Sequence, residues 1–142
     1  MRFHEETFEV ESRRRLEVVD ITERVRGVVG RSGVTRGLVN LWVPHTTACL
    51  SVNEHDEELW EDLLAVMVRL VPLEGEYRHN AKYRWAPREM NAHAHILSTL
   101  IKQGVSLPIA EGRMRLGTWQ SILLIELDGP RVRRVDVTVM GE

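Results

Sequence analysis

Residues 113–140 read RMRLGTWQSILLIELDGPRVRRVDVTVM, and this stretch decides the fold class. It contains three β-like runs: Arg113 to Leu116, Gln120 to Leu127 and Val132 to Met140. Gly117 separates the first two, and Asp128-Gly129-Pro130 is a strong turn signal between the second and third. Strands that follow one another this closely leave no room for a helix between them, so there is no βαβ rhythm. The expectation is an α+β fold with a largely antiparallel, mixed sheet.

Upstream of that stretch the pattern turns mixed. Thr7 to Val10 alternates apolar and polar residues and reads as a first strand. Val18 to Thr22 leads into a helix with Asp20 or Thr22 as N-cap, carried by Val25, Val28 and Val29 and stopped at Gly33. Gly37 to Val43 is a short apolar strand ended by Pro44, and Thr46 to Val52 a second strand after a bend. Asp56 caps a helix over Glu57 to Leu70, whose stripe runs from Leu59 and Trp60 through Met67 to Leu70, and Pro72 stops it. Residues 73–90 lack strong periodicity, and long irregular segments in small domains are often functional. Asn91 caps a helix to about Lys102, with Gly104 just past its end. This makes one compact domain over 1–142 with about three helices.

The totals narrow the function classes. The chain has 142 residues, 43% hydrophobic and 28% charged, as in ordinary globular domains. A net charge of −2 gives no electrostatic footprint for nucleic acid. The clusters Arg13-Arg14-Arg15 and Arg131 to Arg134 read as solvated faces. The single cysteine, Cys49, sits in an apolar run and reads as a buried packer. No apolar stretch approaches the roughly 20 residues of a membrane span, and the first residues lack the apolar centre of a signal peptide. A cytoplasmic location without membrane contact is expected.

Six histidines are the richest source of chemistry. His45 follows a strand and a proline and precedes Thr46 and Thr47, a place suited to lining a site or, more plainly, to a hydrogen bond at the core edge. His79 lies in the irregular segment, where an ordinary solvated histidine is the simple alternative. His93 and His95 diverge by about 200 degrees on a helix at 3.6 residues per turn, so they do not chelate one ion together. With Ala92, Ile96 and Leu100 taken as the apolar face, His95 is expected to face inward and His93 outward. No local zinc signature is present, although three neutral imidazoles with open positions suit Zn²⁺ or a similar ion.

Other groups belong to the same inventory. Glu54 beside Asn53 is a candidate general base or a dipole-compensating acid at a helix start. Thr46, Thr47, Ser98 and Thr99 are short donors suited to phosphate oxygens. Gly117-Thr118-Trp119-Gln120 supplies a hydroxyl, a flat ring and an amide. Trp119 suits stacking on a heteroaromatic ring, although a buried core tryptophan is the simpler expectation. Arg131 suits bidentate pairing with phosphate, or a plain surface position.

In order along the chain these segments resemble the YjbQ-like family. The resemblance rests on His45-Thr46-Thr47-Ala48 with Asn53-Glu54 and Asp56, then Tyr77-x-His79, then Asn91-Ala92-His93-Ala94-His95 with Gly104 and Pro108-Ile109. Gly112, Leu116 to Gln120, Asp128-Gly129-Pro130-Arg131 and Gly141-Glu142 complete it. The resemblance implies a homotrimer with sites near subunit boundaries, and a divalent metal, zinc or magnesium, on His45, His79 and His95. His55 and His93 look like this sequence's own additions. The implied activity is that of a secondary thiamine-phosphate synthase, which joins hydroxymethylpyrimidine diphosphate to thiazole phosphate and releases pyrophosphate. On that reading Glu54 and Gln120 are catalytic. Thr46, Thr47, Asn53, Ser98, Thr118, Trp119 and Arg131 bind a small phosphorylated heteroaromatic substrate. The alternatives are a metal-dependent phosphate-ester hydrolase, with Glu54 activating water, and a non-catalytic metal- or ligand-binding trimer.

Overall fold

The run Ile122-Leu123-Leu124-Ile125 is buried on both faces, and that double burial organises the molecule. It belongs to β7 (Ser121–Glu126), the middle strand between β2 (Glu17–Asp20) and β4 (Ala48–Asn53), all antiparallel. Successive side chains on a strand point to opposite faces. Ile122 and Leu124 therefore enter one apolar cluster, with Val25, Val28, Val39 and Val137. Leu123 and Ile125 enter another, with Met67, Ala94 and Leu97. Cys49 of β4 lies in that second cluster, and burial pushes its thiol up to about 12. A central sheet buried on both sides needs no polar alternation, which is why this run is continuously apolar.

The computed structural model describes all of residues 1–142. Across the first cluster lies a five-stranded antiparallel sheet in the order β1 (Arg2–Glu11), β8 (Val132–Gly141), β3 (Gly37–Trp42), β5 (Gly104–Ala110), β6 (Arg113–Met114). Helix α1 (Thr22–Ser32) adds Val25, Val28 and Val29 to that cluster and ends at Gly33, whose left-handed φ of 70° is natural only for glycine. On the other side of the small sheet pack α2 (Glu57–Leu70) and α4 (Ala92–Ile101), with α3 (Arg78–Ala81) and a 3₁₀ turn at Pro87–Glu89 between them. The α+β class and the single domain are therefore as expected.

Several details differ from expectation. There are two all-antiparallel sheets, and four α-helices in place of three. Residues 17–20 form an edge strand, and Asp20 caps α1 from one position further out by accepting from the Thr22 N–H at 2.9 Å. Gly104 opens a strand, β5, and the turn after α4 is made at Lys102 with φ 89°. The Asp128-Gly129-Pro130 turn does not close a hairpin but carries the chain from one sheet to the other. The face of α4 is reversed too: His93 is fully buried, while Leu100 is 67% exposed and Ile96 also faces out. Ala92, Ala94 and Leu97 set the buried side, and His93 joins them because its Nε2 finds the Leu127 carbonyl at 2.8 Å. Burial holds His93 below the usual histidine value. No helix is long and apolar enough to cross a membrane.

Candidate functional site

A groove of about 600 Å³ opens where several chain segments meet. The bend between β3 and β4 supplies His45, Thr46 and Thr47, the start of α4 supplies Asn91 and His95, and the start of β8 with its preceding turn supplies Arg131 and Arg133. The bend is tight, since the His45 N–H donates to the Val43 carbonyl at 2.8 Å. Pro44 ends the ladder there because it has no N–H to give.

Under the groove lies a buried polar network. Arg133 is 3% exposed and Glu126 is fully buried. Arg133 Nε donates to Glu126 Oε1 at 2.8 Å, and Nη2 donates to Glu126 Oε2 and to Thr47 Oγ1. Ser12 Oγ donates to Glu126 Oε1 at 2.7 Å and accepts from the Arg131 N–H at 2.8 Å. Asp128 accepts from Arg131 Nη2 at 2.9 Å and from Asn91 Nδ2 at 2.8 Å. Asn91 thus spends its amide on Asp128 and makes no side-chain cap to α4. The basic run 131–134 is consequently not one solvated face. Arg133 is in phase with Val135, Val137 and Val139, and that period of two was the available signal for its burial.

His79 and His95 stand side by side, ring centroids 4.9 Å apart, with Tyr83 at 5.2 Å from His79. Burial, then the neighbouring His79, holds His95 below the usual histidine value. Burial and the positive charge of Arg133 do the same for His45. Neutral imidazoles are the form a metal requires. The donor set of one chain nevertheless stops at two. No three His, Cys, Asp or Glu side chains lie close enough to hold an ion together. His45 Nε2 accepts from the Arg134 N–H at 2.9 Å, which occupies that lone pair and leaves the neutral ring's proton on Nδ1. The expected three-histidine site is therefore not assembled within one chain, whereas His79 and His95, two of its three members, do stand together.

The remaining expected residues divide by position. Thr46, Thr47 and Arg131 line the groove. Ser98 does not: it is wholly buried on the inner side of α4, its Oγ without a partner, because α4 turns that face to the small sheet. Asn53, Glu54, Trp119 and Gln120 gather around a second cavity of about 400 Å³. Thr118 lies with Gln120 on a third, of about 640 Å³. Both are at the other end of the small sheet: Ala48 pairs with Glu126 at the histidine end, and Asn53 with Ser121 at this one. Five residue steps of strand separate them, roughly 17 Å at 3.3–3.4 Å per residue. Trp119 is 73% exposed rather than a core residue, since residues 115–120 link the two sheets over the surface. Gln120 Oε1 accepts from the Gly117 N–H at 2.7 Å, and Asn53 Oδ1 from the Glu54 N–H at 2.8 Å. Nearby, His55 Nδ1 is 2.6 Å from Asp20 Oδ2, a pair that the sequence did not announce.

Comparison with known proteins places these segments in one family. The family model described as UPF0047 protein YjbQ-like matches residues 6–142, which span both ends of the small sheet. The chain belongs to the YjbQ-like UPF0047 family. A UPF0047 protein of Methanothermobacter thermautotrophicus is 39% identical over 129 residues, covering 91% of this chain and 86% of its own. The UPF0047 protein YugU of Bacillus subtilis is 34% identical, covering 95% of this chain and 98% of its own. The crystal structure of a YbjQ-like protein of unknown function from Sulfolobus solfataricus superposes with a TM-score of 0.93 at 35% identity, over 99% of this chain and 98% of that one. The two chains thus share one fold over nearly their whole length.

Proposed function

We propose that this chain is a metal-dependent transferase of the secondary thiamine-phosphate synthase type. It would join hydroxymethylpyrimidine diphosphate to thiazole phosphate in the histidine groove, releasing pyrophosphate. The supporting observation is that one groove collects His45, Thr46, Thr47, His95 and Arg131, residues from three segments far apart in sequence. Their donors match a phosphorylated small molecule. Thr46 offers a hydroxyl, and Arg131 keeps guanidinium N–H groups beyond the two it gives to Asp128. Pre-organised donors of this kind stabilise the charge that grows on oxygen as a diphosphate leaves.

The metal belongs to the same proposal. His79 and His95 would hold it, with further ligands from substrate oxygens or from another copy of the chain. A divalent ion there would supply Lewis-acid neutralisation of the leaving group. Imidazole ligands suit zinc, while diphosphate chemistry suits magnesium with oxygen ligands. In a homotrimer, Trp119, Gln120, Thr118, Asn53 and Glu54 of one copy would be presented to the groove of its neighbour. Trp119 would then stack the pyrimidine, and Gln120 would read its edge. The setting proposed is the cytoplasm. The hydrolytic alternative is weaker within one chain, because Glu54 lies at the far end from the histidines.

The test is an assay of purified protein with zinc, magnesium or neither, against both precursors, following the new C–N bond. His95→Ala is expected to lose metal and product together. Product formed equally by His95→Ala removes the groove as the site, and phosphate release without a new bond replaces transfer by hydrolysis.

A further inference from the structure

Arg133 is the one buried cation whose hydrogen bonds do not close on the protein. Its Nε and Nη2 are taken by Glu126 and Thr47. Nη1 has no protein acceptor. It is also not among the three buried side-chain atoms left without a partner, Asn91 Oδ1, His93 Nδ1 and Ser98 Oγ. The Nη1 amine therefore opens on the groove that Arg133 lines. A guanidinium 97% out of solvent, clamped on one edge and open on the other, is a fixed donor and not a mobile surface charge.

We propose that Arg133 Nη1 anchors a phosphoryl subsite on the floor of the groove, with Arg131 as the second cation and the Thr46 hydroxyl as a further donor. The ligand class is a phosphate ester or diphosphate, recognised through its terminal phosphoryl oxygens. The proposal rests on the functional reading above and deepens it: it names where the substrate's diphosphate sits. Three features of the site point the same way. Glu126 neutralises Arg133, so the chain tolerates the buried charge before ligand arrives, and Asp128 does the same for Arg131. His45 Nε2 already accepts the Arg134 N–H, so it presents no free lone pair to a phosphoryl oxygen. The acid on the rim, Glu89, is exposed, and solvent screens it. The low dielectric around Arg133 makes its hydrogen bond to an anion stronger than one made at the surface.

The experiment is calorimetric titration of the full chain with inorganic pyrophosphate, with inorganic phosphate as the second arm. Pyrophosphate is expected to bind more tightly than phosphate. Replacing the pair by Glu126→Gln with Arg133→Gln is expected to weaken pyrophosphate by about ten-fold or more, the scale of one lost charge-assisted hydrogen bond. Arg131→Gln is expected to weaken it less. Where the double variant does not fold, ¹⁵N spectra of the unaltered chain replace it: the Arg133 guanidinium resonances should move on adding pyrophosphate. Unchanged affinity in a folded double variant, or unmoved Arg133 resonances, overturns the proposal. Arg133-dependent pyrophosphate binding in a protein that forms no C–N bond leaves the subsite standing and removes the transferase. Transfer with Arg133-independent pyrophosphate binding does the reverse.

Discussion

The two ends of the β4–β7 ladder solve opposite problems. At the Ala48–Glu126 end, charged groups are buried and cross-braced: Arg133, Glu126, Ser12 and Thr47 hydrogen-bond to one another, and Arg133 Nη1 alone is left without a protein acceptor. At the Asn53–Ser121 end the polar groups are exposed and locally satisfied, and Trp119 stands in solvent. Rigid, desolvated donors belong where charge has to be recognised, because their geometry is set before the ligand arrives. An exposed ring beside self-satisfied amides is the form of a surface that becomes a wall only when something covers it. The histidine end is therefore braced within the chain, and the tryptophan end is open to solvent.

Mutations separate the two ends by size of effect. The largest is expected for Glu126→Gln alone, which leaves Arg133 buried with its charge uncompensated. A loss of about 3–5 kcal/mol in urea unfolding follows from breaking a buried pair on one side. A loss below about 1 kcal/mol shows that the network is solvated after all and dissolves the contrast. At the opposite end, Asp56→Ala removes the acceptor for the Glu58 and Leu59 N–H groups at the start of α2. That change is worth about 1 kcal/mol in the same measurement. If it matches Glu126→Gln, the ends do not differ in how tightly they are built.

Smaller still is the acid response of Asp20. Burial alone would raise this carboxyl, but the hydrogen bonds from Thr22 and His55 outweigh it and hold it below its ordinary 3.8. A carboxylate with a lowered folded value contributes fully above 3.8 and loses that contribution as the pH falls through the folded value. Melting curves of the unaltered chain and Asp20→Asn should thus converge below that range and separate above it. Curves that stay equally far apart at every pH dismiss the stabilising role of the ionised Asp20 carboxylate. The smallest effect on a single chain is expected for Trp119→Ala, within about 0.5 kcal/mol because so little of the ring is buried. Its consequence should appear instead in the assembly state by light scattering or in affinity for the pyrimidine precursor. A variant unaltered in both would leave the tryptophan end without a role.

Much of this was legible in the chain. The helix Glu57–Leu70 and its Asp56 cap follow from local signals and agree to the residue. So does the stop at Gly33. The motif residues were legible as a set, but their grouping was not. His93 proved the buried one and His95 only half-buried, because Ile96 and Leu100 were taken to mark the inner face, while Ala94 and Leu97 are what pack against the small sheet. The strand at Gly104–Ala110 was hidden by a glycine that reads equally well as a helix stop.

The sequence by itself determined most of the element types, the single α+β domain, the family and the residues able to do chemistry, because capping, turn signals and periodicity act over a few residues. Only the tertiary structure decided which of those residues meet. A strand running between two cores sends the parts of one motif, His45 to Thr47 and Asn53-Glu54, to opposite ends. The chain's passage from one sheet to the other then brings Arg133 beneath the groove to meet Glu126 and Thr47. Pairing across sheets depends on register and layer order, and no local spacing encodes either.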